Sequence, residues 1–218
     1  MDIRARRSID LPVYTSPEAV VSDLTPGYPV FCVRPHEIKA VAKRFLDGFP
    51  GDVLYAVKCN PEPHMLGTLS EAGIRHFDTA SIAEVAKVGE LFPDATSYFM
   101  HPVKSRAAIL SAHNVYGVRY FVVDHESELE KIASIIPPGL DTVIVVRLGV
   151  HYDGAVYELS SKFGAPLDEA KVLARDALER GYSYGLSFHV GSQCLDAKGF
   201  ELGLDLVSQT LAGIDEAP

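Results

Sequence analysis

Six polar residues stand at the ends of short apolar runs in this sequence. They are Lys58, Asp78, His101, Asp124, Arg147 and His189. An amine, carboxylates, a guanidinium and imidazoles can together form a Schiff base with a carbonyl compound, hold an anion and move protons. Each residue taken alone is equally well explained as the point where a strand meets solvent. A polar residue after nearly every run is harder to attribute to packing, so the set indicates a site suited to Schiff-base chemistry.

Lys58 differs from the other five because the apolar run 53–57 directly precedes it. Such a run predicts apolar walls around the amine. Apolar surroundings disfavour the charged form of a lysine, so we expect a nucleophilic amine that attacks an aldehyde or ketone. A solvent-facing lysine at a strand end remains the alternative explanation of the same residues.

His189 lies in the string FHVGSQ, where Gly191 and Ser192 predict a tight turn directly after it. An imidazole at this position could stack on a flat heteroaromatic ring, act as an acid or base, or bind a metal. A core histidine that hydrogen-bonds a backbone carbonyl would explain it without any function. Metal binding is the least supported role, because no second histidine or carboxylate stands four residues away. We therefore predict no metal site.

The apolar runs recur at a nearly constant interval. Five of them occupy 53–57, 74–78, 97–101, 119–123 and 143–148. Helices are predicted between them from the spacing of apolar residues, at 63–72, 81–91, 104–113 and 125–135. A sixth strand is predicted at 184–190, between helices at about 166–181 and 197–213. Strands that alternate with helices indicate a parallel sheet covered by helices.

Two α/β architectures fit this alternation, a doubly wound open sheet and a TIM-type (β/α)8 barrel. No G-x-G-x-x-G string follows any of the runs, so the usual fingerprint of the first is missing. The constant repeat favours the barrel, which closes at eight strands. Because only six strands are counted, we expect a barrel truncated after about six βα units.

The first fifty residues depart from the repeat. The string PVFCV at 29–33 predicts a strand, and a helix is predicted at 36–48. We assign 29–218 to the incomplete barrel domain and 1–28 to an N-terminal segment that could be related to a β-domain.

Composition narrows the function classes. Lys and Arg number 20 against 29 Asp and Glu, for a formal net charge of −9, which argues against a nucleic-acid partner. No apolar run is long enough for a membrane helix. The basic start of the chain is followed by no apolar segment, so it is not a secretory signal and the expected location is cytoplasmic. Three widely spaced cysteines support neither a disulfide framework nor a zinc site.

Five strings in the chain resemble, in the same order, motifs of the ornithine and lysine decarboxylases. They are YAVKCN at 55–60, FDTAS at 77–81 with Glu84 after it, VVRL at 145–148, SKFG at 161–164 and FHVGSQ at 188–193. These enzymes are fold type III decarboxylases that bind pyridoxal phosphate in an alanine racemase-like barrel. The related diaminopimelate decarboxylases share the V-K-x-N and H-x-G-S-Q patterns.

The resemblance implies a role for each matching residue. Lys58 stands where the family's lysine forms a Schiff base with pyridoxal phosphate. His189 stands where a histidine stacks on the pyridine ring, and Ser192 where a hydroxyl helps to hold the phosphate.

Three further residues match positions near the cofactor, namely Asp78, Glu84 and Arg147. Lys162 matches a position that forms an ion pair across the dimer interface, so the resemblance also implies a homodimer for the complete protein.

The activity implied is decarboxylation of a basic amino acid, ornithine or lysine, to a diamine such as putrescine in polyamine biosynthesis. Arginine and diaminopimelate remain open as substrates. Two competing hypotheses are a non-catalytic protein like the antizyme inhibitors and a single-barrel cofactor carrier. The presence of Lys58 and His189 argues against the non-catalytic protein.

The family's glycine-rich phosphate loop, the glutamate on the pyridine nitrogen and the C-terminal β-domain have no match before Pro218. We therefore expect the 218-residue chain by itself to be inactive.

Overall fold

The computed structural model describes residues 12–154 and 162–215. Two helices come first, α1 (Pro17–Leu24) and α2 (Pro35–Gly48). Six strands follow: β1 (Leu54–Ala56), β2 (His76–Thr79), β3 (Thr96–Phe99), β4 (Tyr120–Val123), β5 (Val143–Leu148) and β6 (Ser183–Phe188). The helices after them are α3 (Pro63–Ala72), α4 (Ile82–Leu91), α5 (Arg106–Asn114), α6 (Glu126–Ala133), α7 (Leu167–Glu179) and α8 (Ala197–Asp215). A 3-10 turn, Val57–Cys59, lies between β1 and α3.

Local sequence explains where the helices begin. Ser81 and Ser105 cap α4 and α5, and their hydroxyls accept hydrogen bonds from the backbone N–H groups of Glu84 and Ala108. Pro63 occupies the first turn of α3, where its missing N–H costs no helical hydrogen bond. These local signals set the first residues of α3, α4 and α5, whereas a much longer stretch of chain, from Leu148 to Leu167, separates β5 from α7.

The six strands form one parallel sheet in the order β1-β2-β3-β4-β5-β6. Every strand thus lies beside its neighbour in sequence, which is the arrangement of a barrel wall rather than of a doubly wound sheet. The expected α/β barrel fold with six βα units is confirmed. Among the described residues, β1 and β6 are the two edges of the sheet.

One face of the sheet packs against the helices, and the other is the inner face of the barrel wall. Phe121 on β4 and Ile144 on β5 are fully buried in a core shared with the helices, together with Ile109 of α5 and Leu129 of α6. Strand residues alternate between faces, so Val122, Val145 and their equivalents belong to the opposite, inner face. In the parallel pairing of β4 with β5, the inner residue Val122 lies directly beside the inner residue Val145.

One sequence-based prediction about the fold is wrong. Residues 29–33 do not form a strand, and Phe31 is 95% exposed. A strand needs a partner for its N–H and C=O groups, and Pro29 removes one of those donors. The predicted helix at 36–48 is confirmed as α2. Within the described ranges no helix has the length and hydropathy to cross a membrane.

Candidate active site

Most of the polar residues at the strand ends lie on the inner face of the sheet. Arg147 on β5 is an inner-face residue, two positions after Val145, and Asp78 on β2 pairs in register with Ala56. Counting on by two from the inner positions places Asp124 after β4 and His189 after β6 on this face as well. Parallel strands all end at the same side of the sheet, so the topology gathers these side chains at its carboxyl edge.

Asp78 is the carboxylate at the centre of this group. Burial raises the pKa of Asp78 above its usual value; Lys58 and Arg147 act in the opposite direction, and Glu84 adds to the increase. All three neighbours are therefore close enough to act on Asp78 electrostatically. A partly buried carboxylate between two cations can hold the orientation of either cation or of a cationic group on a ligand.

Arg147 is half-buried beside two carboxylates. Burial lowers the pKa of its guanidinium, whereas Asp124 and Asp78 raise it. The guanidinium carbon lies 5.3 Å from the centroid of the Phe163 ring, within the range of a cation–π contact. Arginine stays protonated under these conditions, so the site keeps a fixed positive charge.

A short segment after β5 carries Phe163 into the site. The N–H of Gly164 donates a 2.9 Å hydrogen bond to Asp124 Oδ2, and the N–H of Ala165 donates to the Arg147 carbonyl at 2.8 Å. Gly164 has φ +101°, and a Cβ there would lie 2.6 Å from the backbone of Gly149. The position therefore requires glycine, which accounts for the glycine of the SKFG string in physical terms.

His189 lies at the exposed rim of the site. Its Nδ1 accepts a 2.9 Å hydrogen bond from the N–H of Gly191, so a neutral imidazole carries its proton on Nε2. Partial burial, and then the positive charges of Arg147 and Lys58, lower the pKa of His189. These effects favour the neutral form of the imidazole, which presents a flat ring. The predicted turn is present: Gly191 has φ +98°, and Ser192 follows it with partial exposure.

Glu84 has a structural role as well as its place beside Asp78. Its Oε2 accepts a 2.8 Å hydrogen bond from the N–H of Ala80, while the Ser81 hydroxyl caps the N–H of Glu84. The helix start therefore fixes the Glu84 carboxylate next to the site. A carboxylate in the first turn of a helix stabilises that helix, so part of the reason for a glutamate at position 84 needs no ligand.

Two expectations about individual residues are corrected. Lys58 is exposed on the 3-10 turn and is not enclosed by apolar walls; the apolar burial falls on Val57 before it. His101 lies at the margin of the inner group: it stands two positions after Phe99 of the helical core, its Nδ1 lies within hydrogen-bond distance of the Val103 backbone, and its ring contacts the edge of Phe163. Lys162 is exposed next to Phe163.

Sequence reasoning missed the buried Lys104, which supports the site from behind. Its Nζ donates to the carbonyls of Val122 at 2.6 Å and His101 at 3.0 Å, and forms a 3.1 Å ion pair with Glu128. Burial lowers the pKa of Lys104 to about 8, against the opposing effect of Glu128. These contacts fix the end of β4, from which Asp124 projects. Asp124 was expected at a strand end, but its hydrogen bond from the N–H of Gly164 was not. Phe163 was missed, although it lies in the SKFG string.

A metal role is not supported by the described part of the chain, which holds no group of three or more His, Cys, Asp or Glu side chains suited to a metal ion.

A parallel barrel wall with an amine, an imidazole and a guanidinium at its carboxyl edge offers the groups that bind an aldehyde cofactor with an anionic substituent. Residues 36–216 match the family described as "Pyridoxal-dependent decarboxylase, pyridoxal binding domain", and the chain belongs to that family. The expected family and cofactor class are thereby confirmed.

Similar proteins with established names include decarboxylases of basic amino acids. The chain is 40% identical over 167 residues to the lysine/ornithine decarboxylase of Selenomonas ruminantium, covering 76% of this chain and 40% of that protein. A crystal structure of lysine decarboxylase from the same organism superposes with a TM-score of 0.79 at 29% identity, over 94% of this chain and 53% of that one. The lysine/ornithine decarboxylase of Vibrio vulnificus, solved with putrescine, gives 0.77 at 29% identity, over 91% and 51%. The chain thus spans about half the length of these relatives.

The residues at the carboxyl edge fit pyridoxal phosphate chemically. Lys58 supplies an exposed primary amine for the aldehyde, and Arg147 and Lys58 supply positive charge for an anionic ligand. His189 supplies a neutral ring of the kind that stacks on a heteroaromatic system. The donor set therefore agrees with the cofactor of the family.

Proposed function

We propose that the protein is a pyridoxal-phosphate-dependent decarboxylase of a basic amino acid, ornithine or lysine, that forms putrescine or cadaverine for polyamine synthesis. The observation that carries this proposal is the convergence of Lys58, Asp78, Arg147 and His189 at one end of the parallel sheet. The names of the similar proteins support the same substrate class.

Four residues hold and orient the cofactor in this proposal. Lys58 is the covalent attachment point, and its exposure leaves the amine open to an incoming aldehyde. His189 covers one face of the pyridine ring, where its lowered pKa keeps the imidazole neutral. Ser192 donates its hydroxyl to the phosphate, and the preceding Gly191, at φ +98°, sets the direction of that turn.

The carboxylates of the site offset the positive charges of Lys58 and Arg147. Asp78 interacts electrostatically with both Lys58 and Arg147 and offsets their positive charge, and Asp124 acts on Arg147 in the same sense. When bound, pyridoxal phosphate supplies the electron sink that takes up the electron pair left by departing CO2. The chain's own contribution is to fix the amine, the imidazole and the guanidinium around that ring before the substrate enters.

The substrate and assembly belong to the same proposal. Ornithine and lysine carry a second amine, and the net charge of −9 favours the approach of such cations. Lys162 is exposed beside the site, as an ion pair across a homodimer interface requires. We place the enzyme in the cytoplasm.

The proposal is tested by CO2 release from the full-length gene product supplied with pyridoxal phosphate. Ornithine, lysine, arginine and diaminopimelate are compared at equal concentration, with the diamine product identified by mass. We expect turnover of roughly 1–1000 per second with ornithine or lysine. Cofactor binding without CO2 release from any of the four would instead favour a non-catalytic role.

A further inference from the structure

One hydroxyl in the barrel wall lacks the hydrogen bond that a buried hydroxyl normally makes. The Oγ of Ser187 on β6 is buried and has no partner among the described residues. Buried hydroxyls are almost always paired, because an unpaired one has lost its water without compensation. The partner of this hydroxyl therefore lies outside the described residues, and a bound ligand is one group that can supply it.

Ser187 lies on the inner face of the sheet, next to Arg147. The two residues are directly opposite each other in the register of β5 and β6, and His189 follows two positions later on the same face. The orientation of β6 is confirmed at Gly185, where a Cβ would meet the side chains of Val143 and Val145.

The alternate residues of β6 point the other way. Tyr184, Leu186 and Phe188 pack against the core between sheet and helices. The Ser187 hydroxyl therefore faces the space that the candidate cofactor residues surround, and not the helical layer.

A second serine on the same strand and face shows the contrast. Ser183 Oγ donates a 2.8 Å hydrogen bond to the carbonyl of Leu140. The chain has thus provided a partner for the hydroxyl at the far end of β6. It provides none, within the described residues, for the hydroxyl beside Arg147.

We propose that the Ser187 hydroxyl donates a hydrogen bond to an acceptor oxygen of bound pyridoxal phosphate, on the side of the cofactor that faces Arg147. The proposal rests on the proposed function above. Arg147 also presents guanidinium N–H donors at this place, so oxygen acceptors are the ligand atoms that suit it. Pyridoxal phosphate has two such groups, the ring 3-oxygen and the phosphate. A neutral donor next to the guanidinium adds a directed contact to the charge.

The test compares Ser187→Ala with the matched control Ser183→Ala in the full-length protein. Three quantities are measured: the Kd for pyridoxal phosphate, the absorption spectrum of the loaded protein and the Tm without cofactor. For Ser187→Ala we expect a Kd at least fivefold higher, with a Tm at or above that of the parent; the spectrum shifts as well if the acceptor is the ring 3-oxygen. For Ser183→Ala we expect a lower Tm and a Kd within twofold.

Binding of pyridoxal, which lacks the phosphate, identifies the acceptor. A loss of affinity that persists with pyridoxal assigns the ring oxygen, and a loss seen only with pyridoxal phosphate assigns the phosphate group. Both results support the contact.

Two results for Ser187→Ala overturn the proposal while leaving the function intact. An unchanged Kd and spectrum would mean that only water contacts the hydroxyl. A Tm several degrees below the parent would mean that the hydroxyl serves the fold. If the parent protein fails to take up pyridoxal phosphate at all, the inference and the proposed function are both wrong.

Discussion

Two lysines follow strands of the same barrel wall, β1 and β3, and have opposite environments. Lys104, in the loop after β3, is buried with its Nζ between two backbone carbonyls and the Glu128 carboxylate. Lys58, on the turn after β1, is exposed and lies close enough to Asp78 to lower the pKa of that carboxyl. The first amine has its contacts supplied by the fold and can only hold the wall together. The second is free to react, so the comparison separates the lysine of the scaffold from the lysine of the chemistry.

The largest effect is expected from removing the reactive amine. Lys58→Ala should reduce decarboxylation by about a thousandfold or more, because covalent attachment of the cofactor is lost. The free energy of unfolding without cofactor should change by less than about 0.5 kcal/mol, since the side chain is exposed. Denaturant titration and a CO2 assay measure the two quantities. Lys43→Ala, an exposed lysine of α2, is the control and should retain activity.

The next effect concerns the buried pair and appears in stability. Glu128→Ala leaves Lys104 without its carboxylate and should lower the free energy of unfolding by about 3–5 kcal/mol. Glu130→Ala changes an exposed residue of the same helix and should cost less than about 0.5 kcal/mol. If urea unfolding gave the same loss of free energy for Glu128→Ala and Glu130→Ala, the buried Lys104–Glu128 pair would not stabilise the fold, and Lys104 would not be the scaffold lysine.

The pH dependence of stability gives a third test. The pKa of Lys104 is lowered from 10.5 to about 8 in the folded chain, so the unfolded chain binds more protons between these values. The contribution of Lys104 to stability is therefore smallest below pH 8 and increases as the pH rises towards 10.5. Lys104→Met cannot titrate there and serves as the reference. The difference in unfolding free energy, parent minus variant, should rise across this window; a flat or falling difference would contradict the assigned environment.

The smallest effect is expected at the ring beside the guanidinium. Phe163→Leu removes the cation–π contact with Arg147, which is worth about 0.5–2 kcal/mol, and should weaken pyridoxal phosphate binding about three- to tenfold. Phe45→Leu, at an exposed position of α2, should leave the Kd unchanged. Fluorescence titration measures both. A Kd for Phe163→Leu equal to that of the parent would show that Arg147 needs no support from the ring.

Most of the fold follows from periodicity. All six strands and the helices between them lie close to their predicted positions, because alternating apolar strands and amphipathic helices carry strong local signals. The run at 29–33 carried the same local signal and failed, since a strand also needs a neighbour. Helix boundaries moved by a few residues where a serine cap decided them, as at Ser105.

The sequence predicted which residues belong to the site, but not how deeply each is buried or which groups it contacts. Motif strings identified Lys58, Arg147 and His189, and the sheet brings them together. Burial of the individual residues was not predictable: the apolar run before Lys58 buries Val57 instead of the amine. Lys104 carries no sequence signal, because its partner Glu128 lies 24 residues further along the chain and meets it only through folding.

The roles assigned to the two lysines are tested most directly by locating the attachment point of the cofactor. The full-length protein is loaded with pyridoxal phosphate, reduced with borohydride and digested, and the modified peptide is identified by mass spectrometry. We expect the label on Lys58 and an unmodified Lys104. A label on Lys104, or labelling of Lys58→Ala as strong as that of the parent, would contradict the assignment of Lys58 as the reactive lysine.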